Sequence, residues 1–486
     1  MKKTILTLAA LALLGGCSLA PVYQRPASPV AGAWPSGPSY QAEAAGAARP
    51  AAPDIAWRDF FADARLRRVI EFALANNRDL RLSALNIDKA RAEYGIERAA
   101  LLPGVAATAG GTAARTPAGN GRGEATISHQ YSANLAAVAY ELDFFGRVRN
   151  LSDAALQQYL GTQEARDAQQ ISLVAEVAAL YLNLAADQER LRLAQDTLKS
   201  QQLSYELSQR RFKAGATSGL DMVEAQTSVE AARVDAALYT SQVALDVNAL
   251  TLVAGGALAP DWLPQGPIEA VGALTDIPAG MPSDLLGRRP DVLEAERSLR
   301  AANANIGAAR AAFFPRIALT GSAGSASGDL SGLFKGGSAA WSFMPQVSLP
   351  IFDAGANRSR LEVAKVERDM AVARYEKAIQ TAFREVSDEL ARRGTAEQRL
   401  ASQEALVEAA SKSYAIHHAR YEKGAESYLN ALISQRALYA AQQNLISVRL
   451  SKLTNLVGLY KVLGGGWQAE GADLAAGNAR RAGAVE

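Results

Sequence analysis

The sequence predicts an α+β membrane protein. Its parts are a long coiled-coil α-helical barrel and four strands per protomer of a shared, roughly 12-stranded trimeric β-barrel. Three observations lead there. Two glycine-centred stretches, RRFKAGATSGLDMVEAQ (210–226) and ARYEKGAESYLNALISQ (419–435), align at a constant shift of 424 − 215 = 209. Apolar residues recur at steps of seven upstream of each stretch. Each half of the chain also carries two segments of strand character. A repeat this long is one supersecondary unit used twice.

The seven-residue step runs through Val177, Leu184, Leu191, Leu198, Tyr205 and Phe212. Its partners in the second half are Val386, Arg393, Leu400, Val407, Tyr414 and Tyr421. That period marks a left-handed coiled-coil seam. Each repeat is therefore read as a coiled-coil hairpin that turns at Gly215 or Gly424. A helix from Arg147 to Phe212 would be roughly 100 Å long at 1.5 Å per residue, a length suited to a tunnel or a spacer.

The totals narrow the class. A chain of 486 residues with 21% charged residues fits long helices, and a net charge of +2 gives no nucleic-acid signal. One Cys and three His exclude an internal disulfide framework and make a Cys/His zinc site hard to assemble.

In chain order, Lys2 and Lys3 precede an apolar run, Ile5 to Leu14, that is too short to span a bilayer as a helix. Residues 1–16 read as a signal peptide. LLGGC (13–17) has the form of a lipobox, with Cys17 as the lipid attachment site and Ser18 as an outer-membrane address. Residues 17–56 hold seven prolines after the cysteine and read as a lipid-anchored tether. The first repeat covers 57–253, with helix to Leu101, strands within about 103–143, and a hairpin over 146–253. A linker rich in Pro and Gly covers 254–282. Just past it, Ser283 is placed to cap the next helix and Pro290 to start one. The second repeat covers 283–463, with strands within about 315–352 and a hairpin over 355–463. A tail follows over 464–486.

Alternation is clearest in the second pair of strands. Trp341, Phe343, Val347, Leu349 and Ile351 share one face, and Ser342, Gln346 and Ser348 the other. Trp341, Phe343, Val347 and Leu349 are accordingly the lipid-facing residues of a barrel. Four strands cannot close a barrel, and an open edge cannot face hydrocarbon. If these strands lie in a membrane, several protomers must share one barrel in contact with outer-membrane lipid; three copies would give about twelve strands.

Several stretches resemble the TolC family of outer-membrane efflux factors, in particular its OprM-type multidrug efflux lipoproteins. They are GCSLAPVYQRP (16–26), ELDFFGRVRN (141–150), GRRPDVLEAE (287–296), ANIGAARAAFFPRI (304–317), LPIFDAGANR (349–358), YEKAIQTAFREV (375–386) and NLVGLYKVLGGGW (455–467). The resemblance covers nearly the whole mature chain. It implies a homotrimer that forms an outer-membrane channel, with its helical part in the periplasm, serving a tripartite pump. The partners so implied are a periplasmic membrane-fusion adaptor and an inner-membrane transporter of the resistance–nodulation–division class, and the cargo is drugs and other toxic compounds.

By the same resemblance, Ala214, Gly215, Ala216, Thr217 and Ser218 form one adaptor-docking turn. Lys423, Gly424, Ala425, Glu426 and Ser427 form the other. The resemblance also implies a ring of acidic side chains at a periplasmic gate. Asp221 matches one such position. The second repeat offers Asn430 and Ile433 at the corresponding places, and Glu426, one turn nearer the loop, is the alternative source of charge.

No catalytic motif, cofactor loop or metal pair emerges. His417-His418 are adjacent, so they point about 100° apart on a helix and read as surface. The run Gly464–Gly466 follows a helix and reads as a stop. Metal-ion efflux and type I protein secretion stay open as variants of the channel reading. A lipid-anchored periplasmic coiled-coil spacer is the alternative from a different class.

Overall fold

The computed structural model describes residues 18–40, 52–117, 125–271, 274, 277 and 287–466. Cys17, the signal segment, Ser283 and the tail beyond Gly466 lie outside the described residues. After short helical turns at Ala52–Asp54 and Trp57–Phe60 come two longer helices, α1 (Ala64–Asn76) and α2 (Arg78–Ala99). Strands β1 (Val105–Thr116) and β2 (Thr126–Leu142) follow, then α3 (Arg147–Lys213) and α4 (Gly219–Ala254). The second half repeats the order with α5 (Pro290–Ala311), β3 (Arg316–Ser327), β4 (Ala339–Ser348), α6 (Ala356–Glu422) and α7 (Tyr428–Val462). The two longest helices, α3 and α6, have 67 residues each, as the shared period requires. Strand β4 ends at Ser348, so Leu349, expected on the strand, lies just past it.

The chain divides into two compact units. The first comprises the chain up to Ala27, Leu85–Gln163 and Glu294–Lys377. It holds all four strands, which form one antiparallel sheet in the order β1-β2-β3-β4. The segment after Ser18 is strapped to α5 in this unit. Arg310 donates to the Leu19 carbonyl at 3.0 Å, and Asn303 to the Pro21 carbonyl at 2.8 Å. Tyr23 donates to Glu296 at 3.1 Å, and Arg25 pairs with the same carboxylate. Glycine is required at position 307, where a Cβ would sit 2.7 Å from the Ala20 nitrogen.

The second unit comprises Ser28–Ala84, Glu164–Leu293 and the chain from Ala378 onward. Its apolar core is aromatic. Trp57, Phe60, Phe61, Tyr181 and Tyr460 are all nearly or fully buried. Phe60 stacks on Tyr460 with ring centroids 4.1 Å apart, and Phe61 meets Phe60 edge-on at 4.8 Å. The buried hydroxyls are satisfied: Tyr460 donates to the Ile55 carbonyl at 2.6 Å and Tyr181 to that of Trp262 at 3.1 Å, as buried phenols require.

Asn77 sets the break between α1 and α2. It has extended backbone, its Oδ1 caps α2 by accepting from the Leu80 nitrogen at 2.8 Å, and its Nδ2 donates to the Val253 carbonyl at 2.8 Å. One side chain thus ends one helix, starts the next, and ties both to the end of α4.

Candidate channel site: hairpin tips and sheet faces

The register of the sheet sorts every strand residue onto one of two faces. β1 pairs with β2 so that Val105 opposes Ala137. β3 pairs with β4 so that Ile317 opposes Val347 and Gly321 opposes Phe343. Between β2 and β3 the register shifts: Ala137 opposes Gly321, but Tyr140 opposes Leu319. β2 therefore carries one extra residue there, a β-bulge. Ala139 takes φ 54°, and its N–H is satisfied by the Thr320 hydroxyl at 3.1 Å.

The bulge changes the parity of β2 and keeps its apolar residues on one face on both sides of the irregularity, while Arg115, His129, Ser325 and Ser327 fall on that face towards the β1–β2 turn. Val105, Leu135, Tyr140, Leu142, Ile317, Leu319, Trp341, Phe343 and Val347 all fall on that face. The opposite face carries Thr108, Thr112, Gln130, Ser132, Asn134, Thr320, Ser322, Ser342 and Gln346. On it the Ser322 and Ser342 hydroxyls bond across strands at 2.8 Å. Trp341, Phe343 and Val347 are 80%, 62% and 64% exposed. β1 and β4 pair on one side only. A sheet with an exposed apolar face and two open edges calls for partners on both counts. No described helix is long and apolar enough to cross a membrane.

Both turns between the long helices have the same backbone. Gly215 and Gly424 take φ 72° and 73°. The N–H of Ala216 reaches the Arg211 carbonyl at 2.8 Å, and that of Ala425 reaches Arg420 at 2.9 Å. Each closes the preceding helix with a left-handed glycine. The two tips pack on each other. Tyr205 and Ala225 from the first hairpin meet Tyr421, Tyr428, Ala431 and Leu432 from the second. The Arg211 guanidinium lies 4.7 Å from the Tyr421 ring centroid and donates to the Glu422 carbonyl at 3.1 Å.

The residues expected at the gate are all engaged. Asp221 accepts from Thr217 at 2.5 Å, and its N–H donates to the Ser218 hydroxyl, the N-cap of α4. Glu426 accepts from Asn430 at 2.7 Å, with Arg420 3.3 Å away. His417, read from sequence as surface, is also engaged: its Nδ1 lies 2.9 Å from Glu426 Oε2. His418 in turn lies 3.3 Å from Glu422. Hydrogen bonds from His417 and Asn430, with the Arg420 charge, hold the Glu426 carboxyl below the usual carboxylate range. The Ile433 side chain is exposed. No group of three or more metal-ligating side chains is assembled among the described residues.

The His417 contact follows a burial pattern that the sequence does not display. Along α6, residues 396, 403, 410 and 417 are half-buried at steps of seven, beside the apolar series 400, 407, 414 and 421. Ala396, Gln403, Ala410 and His417 form the second line of the seam, and their mixed chemistry hid it from a search for apolar residues.

The family model described as outer membrane efflux protein matches residues 69–256 and 281–465, the two repeats. The chain belongs to the outer membrane efflux protein family. It is 50% identical over 469 residues to the toluene efflux pump outer membrane protein TtgC of Pseudomonas putida, covering 96% of each chain. A crystal structure of a membrane protein from Pseudomonas aeruginosa superposes with TM-score 0.86 at 44% identity, over 92% of this chain and all of that one. The open-state MtrE outer membrane channel of Neisseria gonorrhoeae gives TM-score 0.83 at 37% identity, over 93% and 99%. These matches agree with the TolC-type resemblance of the motifs. As a member of this efflux family, the chain is the outer-membrane component of an efflux pump.

Proposed function

We propose that three copies of this efflux-family chain pool their sheets into one closed barrel. This barrel conducts drugs and other toxic compounds passively across the outer membrane. The observation that carries the reading is the four-stranded sheet itself. Its apolar side is continuous across the bulge, and β1 and β4 are open edges. Edge-to-edge closure satisfies the backbone, puts Trp341, Phe343 and Val347 against lipid, and lines the bore with Ser, Thr, Asn and Gln. Leu349 continues the lipid-facing set beyond the strand. Acylation of Cys17 adds a lipid anchor, and the strap on α5 fixes where that anchor leaves the body.

Residues 214–218 and 423–427 dock a periplasmic membrane-fusion adaptor, which links the channel to an inner-membrane transporter of the resistance–nodulation–division class. Asp221, Glu426 and Asn430 lie at the gate. The relatives' names point to antibiotics and toluene as cargo, and a passive bore leaves that choice to the pump.

The test is deletion of the gene in strains with and without the matching pump, scored by antibiotic and toluene susceptibility. Increased susceptibility only where the pump is present supports the reading, and unchanged susceptibility in both backgrounds refutes it. Brominated-lipid quenching of Trp341, with Trp341→Phe as the control, separately tests barrel against spacer. Absence of quenching would favour the spacer.

A further inference from the structure

The two repeats hold their turns by different chemistry. In the first, Ser218 caps α4 by accepting from the Asp221 nitrogen at 3.2 Å, and Thr217 bonds Asp221. These two side-chain bonds are local and use no histidine. In the second, Ser427 occupies the N-cap position of α7 without any side-chain cap bond. The turn is held by Glu426, which lies between the two helices. His417 and Arg420 grip its Oε2 from α6, and Asn430 grips its Oε1 from α7.

From this geometry we infer that His417 is the positioning residue of the 423–427 turn, and that its protonation tightens the clasp. The second tip thus responds to mild acid while the first does not. Histidine changes charge between about pH 5 and 8. Neutral, it offers Glu426 one N–H; protonated, it adds a full charge to the same contact, which roughly doubles the strength of a hydrogen bond. Glu426 stays ionised over this range, because its partners hold it in the charged form.

The other charged and titratable groups at the clasp do not oppose the response. His418 stacks on Tyr414 and pairs with Glu422, one turn along the same helix. Arg211 from α3 sits over Tyr421 and binds carbonyls rather than carboxylates. Arg420 is cationic throughout. The consequence for pump coupling rests on the docking role proposed above, but the clasp itself does not.

The experiment is amide hydrogen exchange of the full-length protein in detergent at pH 7.5 and 5.5, corrected for intrinsic rates, with 214–219 as internal control. Acidification should slow residues 423–428 by about threefold to tenfold and leave the first turn unchanged. His417→Asn keeps a neutral donor where Nδ1 stood, and should match the wild type at pH 7.5 but lose the response. His417→Leu should exchange faster at both pH values, and His418→Ala should behave as wild type. A wild-type response retained in His417→Asn, or an equal response in both turns, overturns the assignment. No adaptor is present in this measurement. Adaptor capture by wild type and Gly424→Pro tests the docking role separately, so failure of that role and failure of the clasp are distinguishable.

Discussion

Gly215 and Gly424 stand 209 residues apart and share one backbone state, at φ 72° and 73°. A Cβ added at either would meet nothing within 4 Å. The demand for glycine is therefore conformational and not steric crowding by neighbours. Alanine at either site should cost about 1 kcal/mol through left-handed strain, with outer-membrane levels intact. Gly424→Pro is more severe. Proline fixes φ near −65° and removes the N–H that reaches the Tyr421 carbonyl at 3.0 Å. It should abolish pump coupling while trimers still reach the membrane. Drug susceptibility measured beside immunoblots of outer-membrane fractions decides this; retained coupling would count against the docking assignment.

The two sheet faces predict opposite tolerances. Phe343 and Ser342 are neighbours on β4 and fall on opposite faces. Phe343→Arg places a charge on the apolar face and should cost roughly 2–4 kcal/mol near the middle of a bilayer. Ser342→Arg places the same charge on the polar face, and should insert normally while changing conductance and ion selectivity. Assembly is read from the trimer band in detergent and conductance from planar bilayers. Equal loss of assembly in both variants would contradict the face assignment.

Much of this architecture was legible in the sequence, because turn chemistry and the seven-residue step repeat locally. Leu184 and Val177 are fully buried where that step placed them. Other features carry no local signal. Reading β2 by alternation alone puts Leu135 and Tyr140 on opposite faces; only the bulge against β3 unites them. Gln201 and Ser208 are buried seam residues on α3, yet their polarity removes them from any apolar pattern. Glu426 was visible as a candidate charge, but not its engagement by His417, whose seam position only burial reveals. The contact of Tyr23 with Glu296 spans 273 residues, and nothing near either residue announces it.

That strap contact has a pH dependence of its own. Burial raises the Glu296 pKa, but hydrogen bonds from Arg25 and Arg300 outweigh burial and hold it below the usual carboxylate range. A depressed carboxylate pKa stabilises the strap above the unfolded value of about 4.3. This stabilisation is lost as pH falls through the lower folded value. Hydrogen exchange over residues 19–25, corrected for intrinsic rates, should therefore be flat from pH 8 to 5 and rise steeply below about pH 4. Glu296→Gln should raise it at every pH above that range. A strap equally protected in the variant would mean that the carbonyl contacts of Asn303 and Arg310 suffice.

A second carboxylate has the opposite sign. Asp246 on α4 is pushed up to about 6, by burial first and then by Asp187, against a lowering bond from Gln242. Its Oδ2 is buried with no hydrogen-bond donor beside it, and Asp187 is the carboxyl that acts on it. Asp187 is itself bonded to Arg190 at 2.5 Å, and Arg190 reaches Ser447 on α7 at 2.9 Å. The pair thus sits where the first hairpin meets α7. A raised folded pKa favours the fold most below the unfolded value of about 3.9, and that advantage drains away as pH rises through about 6. Asp246→Asn supplies a permanent donor towards Asp187 and removes the repulsion. The variant should be more stable than wild type at pH 8 by about 1 kcal/mol, once solvent screening of a half-exposed group is allowed for. The advantage should shrink through pH 6 and vanish near pH 4. Urea unfolding midpoints at these pH values measure it; a difference independent of pH would show that the two carboxyls do not share a proton.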